Sequence, residues 1–392
     1  MGRAYRPAKD PVTFHVKWIC AYHPPPQLPG VAAPRPTPNP PTLREIARRA
    51  GVSHTTVSLS LRNHPSIPEE TRERLRHLAD ELGYRSNVLV SALMSQVRLK
   101  QHKSGPEIVG FLTGGPTADD WKNHSASVGF YDGARRRALQ LGMRIEPFWL
   151  GPGGAAAAAT CRMLQARAIR GQLITPFPTP VYEHELDWSH LICVGLGYVF
   201  NDHALHRATH NHFRGAFRAY ERLHQLGYRR IGLMLERDQN SRVNYGWLGG
   251  FLAAQNTLGG PGIEPLLTVT GKEDQQTKAW LRTAKLEAVI GFGPAQFLSL
   301  TRLGLSIPRD LAFAALDVEQ TRLAHVDAVA GINQNLALIG ATAVDILASQ
   351  LYHNELGLPQ RPVYSMIEGY WVPGRTAPEK RKKAGGPGKL KN

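Results

Sequence analysis

Apolar residues recur at helical spacing in two short stretches near the front of the chain. In TLREIARRAGVSHTTVSLSLRN (42–63), Leu43, Ile46, Ala47 and Ala50 share one helix face, and Val57 and Leu61 share the inner face of a second helix. Thr42 is placed to cap the first helix, with Glu45 three residues on in capping-box spacing. Gly51 ends that helix, because glycine enters the left-handed conformation at little cost. Ser53 caps the second and leaves His54, Thr55, Ser58 and Leu59 facing out. In SIPEETRERLRHLADELGY (66–84), Ser66 and Glu69 have capping-box spacing and Pro68 sits in the first turn. Ile67, Leu75, Leu78 and Leu82 are positioned to close a three-helix core, and Gly83 stops the helix.

From residue 107 the period changes. Short apolar runs alternate with amphipathic stretches: strand 107–112, helix Ser127 to Leu141, strand RIEPFWL, helix 154–169, then strands GQLITP and LICVGL. Helix Arg214 to Leu226, strand YRRIGLML, helix Val243 to Leu258, strands AVIGF and LAFAALD, and a long helix Ala337 to Tyr352 follow. This alternation is the mark of βαβ units and parallel sheets.

Composition sharpens the picture. The net charge of +16 and pI of about 10.0 favour a polyanionic partner, although part of that charge lies in the basic tail KRKKAGGPGKLKN. Residues 1–41 hold eleven of the twenty-nine prolines and read as a disordered arm. Cys20, Cys161 and Cys193 form neither a metal motif nor a disulfide framework, which fits a reducing cytoplasm. Cys161 and Cys193 are expected to be buried small hydrophobes. No uninterrupted apolar run reaches the ~18 residues of a membrane span, and the start lacks a signal-peptide pattern. Enzyme motifs are missing as well. Residues 151–154 (GPGG) lack the Lys-Ser/Thr of a phosphate loop, there is no HExxH, GxSxG or CxxC, and HNHF (210–213) is not spaced as a metal site. The expectation is no cofactor, no metal and no catalytic residue.

The paired helices at 42–63 predict helix-turn-helix geometry, in which the second helix enters the major groove of DNA. With the segment that follows, the chain resembles the DNA-binding headpiece of the lac/gal repressor (LacI/GalR) family. The resemblance is carried by Thr42-Leu43, Ile46-Ala47, Ala50-Gly51-Val52-Ser53, Thr56-Val57-Ser58, Asn63, Thr71-Arg72, Leu82-Gly83-Tyr84 and Asn87. It extends into the second half through LHQLGYRRIG (223–232), LSIPRDLAFAALD (305–317), INQNLALIGATAVDIL (332–347) and GYWVPGRT (369–376).

The resemblance implies an N-terminal all-α helix-turn-helix headpiece followed by an α/β, two-lobed, periplasmic-binding-protein-like core with parallel sheets and three crossovers. The implied domains are the headpiece (42–84), hinge (85–103) and core (104–377); the disordered Pro-rich extension (1–41) departs from the family pattern, and the tail (378–392) reads as basic and disordered from its composition. It also implies a cytoplasmic homodimer on a pseudo-palindromic DNA operator, with no membrane partner and a small-molecule effector, such as a sugar, in the interlobe cleft. His54, Thr55 and Leu59 match base-reading positions. Leu59 can offer only apolar contact, for instance to a thymine methyl. Thr42, Ser53, Thr56, Ser58, Asn63, Tyr84 and Asn87 fall in the DNA-binding set, most of them at phosphate-contacting positions that fix register. Leu93 matches the hinge leucine that wedges into the minor groove, although Ser86 replaces the usual proline and Met94 a small residue.

The effector cleft departs further from the family pattern. The usual arginine three residues before the Gly250-Phe251 pair is Trp247, and Arg242 lies five residues upstream of that. The aspartate expected after AVIGF is Gly293, and the one expected near the lobe crossover is His210, while Asp317 and Gln334 match. Trp121, Trp247 and Phe292 offer stacking faces, each fitting a core or a pocket. Two functions are weighed, a ligand-responsive transcription factor and a solute-binding module or enzyme on the same core with a vestigial headpiece; the capping boxes, the recognition-helix pattern and the missing signal-peptide pattern favour the first.

Overall fold

Strands whose residues are buried along almost their whole length need cover on both faces, and the chain answers with two three-layer lobes behind a small helical headpiece. A computed structural model of the chain describes residues 42–61, 63–64, 66–84, 106–151, 153–176, 187–199, 205–269, 273–319 and 328–380. The headpiece comprises α1 (Leu43–Ala50), α2 (His54–Leu61) and α3 (Glu69–Glu81). Ile46, Ala47, Val57, Leu75 and Ala79 form its core, with Leu43, Leu61, Leu78, Leu82 and Tyr84 packed around them. Ile67 is half-buried and stands outside this cluster.

Capping decides where these helices begin. The Thr42 hydroxyl accepts the Glu45 N–H at 3.3 Å, while the Glu45 carboxylate turns to Arg48 and Arg49 instead of closing the expected box. Gly51, at φ 66°, caps the end of α1. The expected Ser66–Glu69 box is a correction: α3 starts only at Glu69 behind Pro68, and the Ser66 hydroxyl pairs with His64 Nδ1 at 2.8 Å.

The first lobe holds β1 (Glu107–Thr113), β2 (Met143–Trp149), β3 (Gly171–Ile174), β4 (Ile192–Leu196), β5 (His206–His210) and β11 (Tyr364–Ile367) in the order β11-β5-β4-β3-β1-β2, all parallel. Helices α4 (Ser125–Gln140), α5 (Gly154–Ala166) and α11 (Leu336–His353) cover it. The second lobe holds β6 (Ile231–Glu236), β7 (Leu266–Thr268), β8 (Ala288–Gly291), β9 (Ala312–Ala315), β10 (Ala330–Asn333) and β12 (Tyr370–Val372) in the order β12-β10-β9-β8-β6-β7, with β12 antiparallel. Its helices are α6 (His212–Gln225), α7 (Arg237–Arg242), α8 (Gly246–Thr257), α9 (Glu273–Ala284) and α10 (Pro294–Arg302). Each sheet has one hydrophobic cluster on either face.

Three departures from the sequence reading have physical causes. The helix expected over 243–258 begins only at Gly246, because Asn244 and Tyr245 take left-handed conformations (φ 51° and 59°) between α7 and α8. β5, HRATH, is a buried strand without an apolar run; Arg207 is covered by the rings of Tyr198 and Tyr364 instead of water. The basic tail is tied down over its first residues: Tyr228 Oη donates to the Pro378 carbonyl at 2.7 Å, and the Lys380 N–H to Leu226 at 2.8 Å. α11 is long and apolar enough to cross a membrane by composition. Its buried face, including Leu336, Ile339, Ala343 and Leu347, is instead part of the first lobe's core.

Candidate DNA-reading surface and interlobe cavity

The second helix of the headpiece is set up by Ser53, whose Oγ accepts the Thr56 N–H at 3.0 Å and lies 2.9 Å from the Thr56 hydroxyl. This cap fixes the helix so that Val57 is fully buried while His54 and Thr55 are exposed. Ser58 and Leu59 are half-buried on the same helix. Asn63, at φ 60°, closes the turn after α2 and receives Arg76 Nη2 on its side-chain oxygen at 2.6 Å. Tyr84 packs against the headpiece core, and burial pushes its phenol pKa up. The structure therefore gathers Thr42, Ser53, His54, Thr55, Thr56, Ser58, Leu59, Asn63 and Tyr84 into one three-helix unit. Asn87 and Leu93 lie outside the described residues.

The chain crosses between lobes three times: β5 into α6, β10 into α11, and β11 into β12. The crossovers touch. Asn211 Nδ2 donates to Glu368 at 3.1 Å, the Asn211 N–H to the Ile367 carbonyl at 2.9 Å, and His210 Nδ1 lies 3.2 Å from that same carbonyl. Gly369 sits where any Cβ would meet the Asn333 carbonyl at 2.6 Å and the His210 ring at 2.6 Å.

Between the lobes, at the C-terminal ends of the strands, lies a cavity of about 130 Å³. Ligand crevices in open α/β sheets form at this end. His210, Arg242, Trp247, Phe292, Asp317 and Gln334 line it, as expected for the cleft. Trp121 does not. It is buried in the first lobe, its ring 5.5 Å from Phe111 and 4.9 Å from Tyr131, and belongs to the core.

Tyr198 and His212 also line the cavity and were missed by the sequence reading. His212 follows His210 by two residues across a strand-to-helix junction, a spacing that looks like no known site in sequence. Its ring stands 5.1 Å from His210, 4.9 Å from Trp247 and 5.7 Å from Tyr198, and Trp247 is 4.9 Å from Phe292. The wall is thus a run of rings in edge-to-face and tilted contact. Burial holds both histidines neutral: His210 is lowered to about 4 and His212 well below its usual value. The Nδ1 of His212 and the Nε1 of Trp247 have no hydrogen-bond partner. Gln334 Nε2 donates to the Leu316 carbonyl at 3.1 Å, and Asp317 Oδ1 accepts the Glu319 N–H at 3.0 Å. Cys161 and Cys193 are free thiols buried in the first lobe, away from this wall. Among the described residues no group of His, Cys, Asp or Glu is arranged to hold a metal.

Residues 42–87 match the family profile "Bacterial regulatory proteins, lacI family", and residues 220–376 match "Periplasmic binding protein-like domain". Residues 42–87 are thus a lacI-family helix-turn-helix domain, and residues 220–376 a periplasmic-binding-protein-like domain. Among relatives, the probable HTH-type transcriptional repressor ExuR of Bacillus subtilis is 44% identical over 64 residues, 16% of this chain and 18% of that protein. The HTH-type transcriptional regulator GntR of Pseudomonas aeruginosa is 51% identical over 55 residues, covering 14% and 16%. These matches span less than a fifth of the relatives' length. Two solved structures share the fold of this chain over 86% of its length. They are the transcriptional regulator CelR–cellobiose complex (TM-score 0.55, 20% identity, 99% of that chain) and the lac repressor dimer bound to operator and the anti-inducer ONPF (TM-score 0.51, 20% identity, 99%).

Proposed function

We propose that the protein is a sequence-specific DNA-binding transcriptional regulator whose affinity for operator DNA is tuned by a small molecule held between the two lobes. One observation carries this reading: a capped helix-turn-helix with an exposed polar face is joined, in one chain, to a two-lobed core with a cavity at its crossovers. His54, Thr55 and Leu59 read bases, whereas Ser53, Thr56, Ser58, Asn63 and Tyr84 bond phosphates. His210, Arg242, Trp247, Phe292, Asp317 and Gln334 contact the effector. Residues 85–103 link the headpiece to the core, and two copies act together on a pseudo-palindrome in the cytoplasm. The net charge of +16 supports attraction to the phosphate backbone.

The test is a gel-shift titration of the full chain on DNA recovered from a random duplex library, with and without candidate effectors. Specific retention that changes with an effector supports the reading. A chain that binds a small molecule but shifts no DNA at low salt is a solute-binding module with a vestigial headpiece.

A further inference from the structure

The second lobe gathers basic side chains at the end farthest from the cavity. Arg229 and Arg230 precede β6, and Lys285 precedes β8, so all three lie at the N-terminal ends of strands, opposite the crossovers. Arg222 joins them from the last turn of α6. Arg222 Nη1 donates to Gln225 Oε1 at 2.7 Å, Arg229 Nη1 to the His224 carbonyl at 2.7 Å, and Arg230 Nη2 to the Ala284 carbonyl at 2.6 Å. None of these acceptors is a carboxylate, so the three guanidinium charges are not neutralised by their partners. The Glu287 carboxylate is engaged elsewhere: it accepts the Arg229 N–H at 2.7 Å and pairs with the Lys380 ammonium. Glu221 and Glu379 offset part of the charge, and Arg222, Arg229, Arg230 and Lys285 outnumber them.

The chain's basic segment departs from this same pole. The Lys380 N–H donates to the Leu226 carbonyl at 2.8 Å, which fixes where the segment begins. Beyond it come Arg381, Lys382, Lys383, Lys389 and Lys391, with no acidic residue among 381–392. The same twelve positions hold no aromatic residue. Proteins that grip single strands stack bases on aromatic rings. Cations without rings bond phosphates alone, which gives affinity without reading sequence.

The pole is out of reach of DNA held by the headpiece. Both α6 and α11 start at the cavity, where His212, Gln334 and Ile339 line it, and they run away from it into different lobes. α11 ends at Asn354, whose Nδ2 donates to the Asn63 carbonyl of the headpiece at 3.3 Å. α6 ends beside Leu226, where Lys380 is anchored. With 18 and 14 residues, the two helices laid end to end separate these points by about 50 Å. Residues 381–392 span about 40 Å at full extension, and the reading face lies farther off, across the headpiece.

We propose that this basic pole, together with the segment beyond Lys380, is a second and sequence-independent contact for duplex DNA, holding a stretch other than the one under the headpiece.

The experiment is a sandwich capture with the full chain at low salt. The chain is loaded on bead-bound random duplex, and retention of a second, labelled duplex is measured. Wild type should retain the labelled duplex, and salt should release it. A variant carrying Arg381→Gln, Lys382→Gln, Lys383→Gln, Lys389→Gln and Lys391→Gln should stay on the beads but retain roughly tenfold less label, because five phosphate contacts are lost. Arg222→Gln combined with Lys285→Asn should lower retention in the same direction. Both side chains are exposed, and asparagine tolerates the left-handed backbone of Lys285 (φ 45°), so the melting temperature should not change. Equal retention by wild type and the tail variant would overturn the proposal, since paired headpieces would then hold both duplexes. Unchanged retention in the pole variant would overturn it too. If the tail variant also leaves the beads, the segment serves the headpiece's own duplex and the second contact is wrong. If single-stranded RNA or anionic phospholipid vesicles displace the label better than unlabelled duplex does, the assignment to duplex DNA is wrong.

Discussion

His212 meets Trp247 edge-to-face, the ring centroids 4.9 Å apart and the planes at 73°. The pair joins the first residue of α6, just beyond a lobe crossover, to α8 of the second lobe. Because the contact is buried, the imidazole there must stay neutral, and the same holds for His210 two residues earlier. The crossover is therefore sensitive to acid.

Stability should fall as the pH drops from 7 toward 4. Both histidines titrate near 6.5 when unfolded, while in the folded protein His210 is lowered to about 4 and His212 further. Below 6.5 the unfolded chain thus binds more protons than the folded one, so the stabilisation is complete above that pH and is lost on acidification. At ~1.36 kcal/mol per pH unit, His210 accounts for a loss of about 2 kcal/mol between pH 6.5 and 5, and His212 adds to it in the same direction. Urea unfolding midpoints at pH 7, 6 and 5 should fall more steeply for the wild type than for His210→Gln or His212→Gln. Parallel slopes would mean that these side chains are not buried as described.

Helices α4 and α11 approach closely at Gly133, where a Cβ would stand 1.8 Å from the Ala337 carbonyl oxygen. Gly133→Ala should force the helices apart and cost about 1–3 kcal/mol or more, the usual range for overpacking. Gly153→Ala is the control, since a Cβ there meets nothing within 4 Å. Thermal unfolding compares the two, and equal melting temperatures would contradict the packing.

On DNA, Leu59→Arg should change the preferred base, because arginine pairs bidentately with guanine. Thr56→Ala should weaken every sequence about equally, by roughly a kcal/mol for a lost phosphate hydrogen bond. Library selection reads both outcomes. An unchanged motif for the Leu59 variant would place that residue off the reading face.

The headpiece was legible because its signals are local: Thr42, Gly51 and Ser53 each act on backbone groups within a few residues, and all three are found in their expected roles. The Ser66 cap failed because a nearby histidine competes for the hydroxyl, and spacing alone does not reveal that. The alternating strands announced two parallel sheets. β5 and the late start of α8 behind Asn244–Tyr245 were hidden, since one replaces apolar residues with a ring-covered arginine and the other is a backbone conformation. At the cavity, six of the seven expected residues come together across the crossovers. Trp121 was misplaced because an aromatic side chain carries no sign of whether it faces a core or a cleft. His212 was missed because its neighbours Trp247 and Tyr198 are distant in sequence.

The central claim is that this chain recognises a specific duplex. The most direct measurement is selection of a random duplex library by the full chain, followed by binding of the recovered sequence and of random DNA across a range of salt. The account predicts an enriched inverted repeat, bound far more tightly than random DNA, with log K falling steeply and linearly against log salt. A folded chain that enriches no motif, or that binds all duplexes alike, would contradict it.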